Sequence, residues 1–84
     1  MKLQKGDKII VHGYVMLSEL EDGKSYKIIK VSRQAYKDVY HFAKARGTKE
    51  VVAHYAHNVD MLINPKNNNH IEIIKKQKEA SKND

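Results

Sequence analysis

The chain has no cysteine and no tryptophan, and its 84 residues include one proline, four glycines and one phenylalanine. Without thiols there is no disulfide framework, no thiolate zinc site and no cysteine nucleophile. No apolar run approaches the roughly 18 residues of a bilayer span, and no charged-then-apolar leader opens the chain, so neither a membrane segment nor a secretory signal is expected. Leu, Ile, Val and Phe together number 20, just above the level at which chains tend to stay disordered. A domain of this size buries only about 60% of its unfolded surface, so the core is thin. What remains is one small soluble domain, expected in the cytoplasm.

Charge is plentiful but uneven. Sixteen Lys and Arg against ten Asp and Glu give a net charge of +6. Residues 24–49 hold eight basic side chains (Lys24, Lys27, Lys30, Arg33, Lys37, Lys44, Arg46 and Lys49) and a single acid, Asp38. An acidic knot, Glu19, Glu21 and Asp22, precedes them, and Lys75, Lys76, Lys78 and Lys82 lie in a polar tail. A concentrated basic segment suits a phosphate backbone, because each phosphate neutralised releases condensed counterions. The plain alternative is a solvated surface that keeps a small protein soluble and blunts sheet edges. Lysine outnumbers arginine 14 to 2, which favours diffuse attraction over bidentate reading of bases.

Fifteen Ile and Val against four Leu lean towards strand, since branched side chains pack well on a pleated surface. Ile9, Ile10 and Val11 form a short strand bounded by glycines. Asp22-Gly23 is a turn dipeptide, and residues 26–31 read as a strand, with Tyr26 and Ile28 facing opposite to Ile29 and Val31. Residues 33–46 are ambiguous. Ala35, Val39, Phe42 and Arg46 recur at helical spacing after a Ser32 cap, so a short helix there is possible. Residues 39–45 also read as a strand, with Tyr40 and Phe42 on one face, joined through Gly47 to a strand over 51–56. Strands are favoured because the segments are rich in Val and Tyr. Residues 70–74 make a last strand, with Ile71 and Ile73 on one face. The expected organisation is a domain over 1–74 and a lysine-rich, disordered tail over 75–84.

This order resembles the small SH3-like barrels. The matching pieces are Lys5-Gly6-Asp7-Lys8-Ile9-Ile10-Val11, the Asp22-Gly23 turn into Tyr26-Lys27-Ile28-Ile29-Lys30-Val31, and the hairpin about Gly47. His57-Asn58-Val59-Asp60 would supply the one-turn helix that precedes the last strand of that fold. The resemblance implies a mainly β fold, a single barrel of about five strands. It also implies the company of ribosomal, transcription-associated and chromatin modules. The short, lysine-rich chain looks like the small accessory proteins that bacteriophages encode against host enzymes. Likeness of fold does not by itself assign function.

Chemistry is sparse. His54 and His57 lie three apart and His41 could face them across a hairpin, but this pattern lacks thiolates or a metallopeptidase Glu. No metal or cofactor is therefore expected. Ser18, Ser25, Ser32 and Ser81 lie in turn or cap-like contexts, not in a strained nucleophile elbow. Glu19, Glu21 and Asp22 lack the ligand series of a calcium loop. A non-enzymatic binding module follows. Tyr26, Tyr36, Tyr40, Phe42 and Tyr55 interleave with the basic residues, and Phe42 and two of the tyrosines are expected in the core.

The leading expectation is binding to DNA or RNA backbone, with Lys27, Lys30, Arg33, Lys44, Arg46 and Lys49 on phosphate and Tyr36 or Tyr40 stacking if exposed. The alternative is a protein-binding module, such as a phage-type inhibitor of a host enzyme, docking on an acidic surface through aromatic and arginine anchors. An oligomeric subunit paired through strand edges is a third class.

Overall fold

The β-branched segments become strands, laid side by side in nearly the order of the chain. In the computed structural model, which describes residues 3–74, they are β1 (Lys8–His12), β2 (Ser25–Gln34), β3 (Lys37–Lys44), β4 (Glu50–Tyr55) and β5 (His70–Ile74). One short helix, α1 (Ala56–Asp60), precedes β5. Every pairing is antiparallel, in the order β4-β3-β2-β1-β5. The protein is therefore mainly β, a single five-stranded sheet edged by β4 and β5. No β4–β5 ladder closes that sheet among the described residues. No described helix is long and apolar enough to cross a membrane. The expected tail over 75–84 lies outside the described residues.

Burial follows the pleat. Ile9, Val11, Tyr26, Ile28, Tyr40, Phe42 and Ile71 point inward and meet Leu3, Val15, Leu20, Ala56 and Val59 in one core. Ile71 and Ile73 pair with Val11 and Ile9 and so share the core face, as their spacing predicts. Phe42, at 0% exposure, lies at the centre. Truncating such a side chain to alanine costs about 3–5 kcal/mol.

The possible helix over 33–46 does not form. Gln34 pairs with Lys37, leaving Ala35 and Tyr36 as a two-residue hairpin loop with φ of 49° and 69°. Both values are positive, the pattern of the type I′ turn that matches strand twist. Flanked by β2 and β4, β3 buries Val39, Tyr40, Phe42 and Ala43. A near-continuous apolar run of this kind has no period to separate strand from helix. The β3–β4 connection falls where expected, but Gly47 is not at positive φ and donates its N–H to the Lys44 carbonyl at 2.8 Å. Gly23 does require its glycine, with φ of 80°.

Two single-residue bulges interrupt the pleat. In β2, Ile29 is extra between the pairs Ile28↔Phe42 and Lys30↔His41. In β4, Val51 is extra between Phe42↔Val52 and Ala43↔Glu50. Each bulge reverses the alternation of its strand relative to its neighbour. Val31 was expected to face away from Ile28. It instead pairs with Tyr40 and returns to that side, 40% exposed at its outer end.

The long connection over residues 13–24 is tied down at several points. The Tyr26 hydroxyl donates to the Glu19 carbonyl at 2.8 Å and accepts from the Glu21 N–H at 3.1 Å. His54 Nε2 lies 2.9 Å from the Ser18 carbonyl, and Asp22 Oδ1 accepts from the Gly13 N–H at 2.8 Å.

Candidate nucleic-acid interface

Residues directly opposite in an antiparallel pair share a face of the sheet. Phe42 marks the core side, so His41 and Ala43 mark the outer side. Lys27 pairs with Ala43, Lys30 with His41, and Lys8 with Lys27. All three lysines therefore lie on the outer face. An unbulged β2 would place residues 27 and 30 on opposite faces; the extra Ile29 brings them together. Lys37, opposite Gln34, joins the same face, and its Nζ lies 5.2 Å from the centroid of the Tyr55 ring. Tyr55 pairs with Val39 and is 42% exposed.

Lys8 directly opposite Lys27 is an unfavourable arrangement, since like charges at a cross-strand pair cost roughly 0.2–1 kcal/mol. Among the described residues, no salt bridge neutralises Lys8, Lys27 or Lys30. These lysines thus concentrate positive charge on the outer face, which also carries Glu50 and Glu72, engaged by His41 and His12.

The other predicted contacts are distributed elsewhere. Arg33 and Tyr36 lie at the β2–β3 hairpin tip, where Arg33 Nη2 donates to the Tyr36 carbonyl at 3.4 Å. Arg33 Nη1 also lies 3.7 Å from Asp38 Oδ1, in an exposed pair of little energetic weight. Tyr36 is 91% exposed. Lys44, Arg46 and Lys49 lie at the opposite end of the sheet, and Lys44 lines a groove with Glu19 and Glu21. The eight predicted residues thus do not form one patch.

Tyr40 is corrected from a stacking residue to a core residue, at 1% exposure. Its hydroxyl accepts from the Leu3 N–H at 3.1 Å and donates to Asp60 Oδ1 at 3.2 Å. Burial pushes its pKa above 10.0, the Leu3 N–H opposes that rise, and the Asp60 charge adds to it. Tyr26 and Phe42 are buried too, so two tyrosines and the phenylalanine occupy the core as expected.

Lys8 and Tyr55 escape a reading confined to the basic segment, because strand pairing brings β1 beside β2. A polar chain on the same face also escapes it. Ser32 Oγ lies 2.7 Å from His41 Nε2, and His41 Nδ1 lies 2.8 Å from Glu50 Oε1. These residues recur every nine positions along two successive hairpins, a spacing that means nothing until the register is known. The Val51 bulge is what turns Glu50 outward to meet His41. His41 and His54 are on opposite sides of the sheet by register, so the three-imidazole grouping with His57 is not assembled.

Comparison with protein-family models, curated proteins and solved structures finds no significant match.

Proposed function

We propose that the protein is a nucleic-acid-binding module that holds the phosphate backbone on its outer sheet face. Lys8, Lys27, Lys30 and Lys37 contact phosphate, Tyr55 stacks beside them, and Arg33 and Tyr36 extend the contact from the hairpin tip. The observation that carries this reading is the like-charged pair Lys8↔Lys27, neither member of which has a salt-bridge partner among the described residues. A surface that costs folding energy has a reason in an anionic partner.

We also propose that the sheet curls as an SH3-like barrel, with the long connection over 13–24 and α1 at its ends. The strand order and the helix before β5 support it. A second reading, docking on another protein, is favoured by Tyr14 and Met16, which project at 74% and 77% exposure from the acidic connection.

Fluorescence anisotropy with labelled single- and double-stranded DNA and RNA at two salt concentrations tests the main reading. Each neutralised phosphate contributes a log–log salt slope of about −0.7 to −0.9, so four lysines give a slope near −3. Charge reversal of Lys27 and Lys30 should reduce that slope by about 1.5, whereas Lys44→Glu should change it little. A slope near zero, or an effect of Lys44→Glu equal to that of the Lys27 and Lys30 changes, would overturn the assignment.

A further inference from the structure

Ser32, His41 and Glu50 come from three adjacent strands, β2, β3 and β4, and their side chains form a continuous chain of short hydrogen bonds. An ionised carboxylate can only accept, so the Glu50 contact requires a proton on His41 Nδ1. In the neutral ring that leaves Nε2 as a lone pair, 2.7 Å from the Ser32 hydroxyl. Nucleophile, base and orienting carboxylate stand in the relation that activates a serine in unrelated hydrolase folds. The His41 side chain is 13% exposed and Glu50 46% exposed, so the base is fixed by packing while the face remains open to solvent. Lys30, directly opposite His41 and two residues before Ser32 on the same strand, shares their face of the sheet.

We propose that Ser32 is an activated nucleophile that takes up the acyl group of an ester, with His41 as its base and Glu50 as a positioning residue. Ser32 Oγ attacks the carbonyl carbon as its proton passes to His41 Nε2. The bond from carbon to the leaving oxygen then breaks, and the departing alkoxide takes that proton from His41. Lys30 faces the negative charge that develops on the carbonyl oxygen. Water attacking the acyl-serine by the same route restores the hydroxyl and releases the acid.

A fluorophosphonate probe tests the nucleophile directly. The Ser32 Oγ–P bond forms, the P–F bond breaks, and fluoride leaves with the serine proton by way of His41. Peptide mass spectrometry of the native chain should place the adduct on Ser32, with Ser25 on the same strand as internal control. A positioned general base contributes about 10²-fold or more, so Ser32 should be labelled about 100-fold faster than Ser25, and the difference should vanish in urea. His41→Gln should abolish the preference. Glu50→Gln should slow labelling at least tenfold without moving the thermal midpoint, which a purely structural role would not produce. Equal native labelling of Ser32 and Ser25, or no adduct on Ser32, would overturn the proposal without any variant being needed.

Discussion

The β2–β3 hairpin turns through two residues poorly suited to the conformation they adopt, and relieving that misfit gives a sharp test. Ala35 and Tyr36 have φ of 49° and 69°. The left-handed region costs an ordinary L-residue about 1–2 kcal/mol. Glycine escapes that cost but gives up about 0.5–1 kcal/mol of backbone entropy on folding. Tyr36 is 91% exposed, so its removal uncovers almost nothing. The Arg33 contact is to the Tyr36 backbone carbonyl and survives the change. Tyr36→Gly should therefore stabilise the fold by about 0.5–1 kcal/mol, and adding Ala35→Asn should bring the total to about 1–2 kcal/mol. For a domain of this length each 1 kcal/mol is about 4–8 °C in the midpoint. Thermal and urea unfolding followed by circular dichroism measure the effect. The same variant should weaken single-stranded nucleic acid binding, because a base stacked on an aromatic ring is worth about 1–3 kcal/mol. Opposite signs in the two assays would identify Tyr36 as a residue kept at the expense of stability. A lower midpoint for Tyr36→Gly would refute the reasoning about the turn, and unchanged binding would remove Tyr36 from the interface.

Tyr40→Phe should destabilise the fold by about 1–3 kcal/mol, since it leaves the buried Leu3 N–H without its acceptor; urea titration checks this. The raised Tyr40 pKa makes its folded form hold a proton that the unfolded chain releases near pH 10.0. That contribution to stability is complete below pH 10.0 and falls as pH rises through the folded value, so wild type should lose stability in this window more steeply than Tyr40→Phe. Gly13→Ala should cost more than about 1 kcal/mol, because φ is +76° and the new Cβ would collide with the Asn69 side chain. Gly47→Ala, by contrast, meets only ordinary contacts with Lys44, and should be neutral or stabilising by about 0.5–1 kcal/mol in the same melt. Lys27→Glu converts the like-charged pair with Lys8 into an opposite one and should raise stability by roughly 0.2–1 kcal/mol while weakening nucleic acid binding.

Most of the strands were legible in the sequence, because Ile9, Val11, Tyr26, Ile28, Ile71 and Ile73 alternate where only one face is buried. The stretch over 33–46 was ambiguous for a physical reason. Its apolar residues are covered on both sides, which erases the period, and its turn uses Ala and Tyr where Asn-Gly would have announced a hairpin. The charge was legible as a segment but not as a surface. A count along the chain groups Lys44 with Lys27, although Lys44 lies opposite Tyr26 on the core side and Lys27 opposite Ala43 on the outer face. Tyr40 illustrates the same limit: an aromatic among cations has the same sequence pattern whether it stacks on a partner or anchors Leu3 and Asp60.

The two bulges give the outer face an origin distinct from that of the core. Ile29 and Val51 are surplus to the ladder, and because they stand outside it Lys30 joins Lys27 and Glu50 reaches His41; were either residue paired in turn, the alternation beyond it would be reversed. Loss of either surplus residue would leave every ladder pair as it is, with Phe42 and its neighbours in place and the same side chains on the outer face. Deletions at these two positions should therefore be better tolerated than deletions elsewhere in β2 or β4, where the alternation would be reversed. A chain lacking Ile29 would keep its scaffold and hold Lys27 and Lys30 at alternate positions on the same outer face.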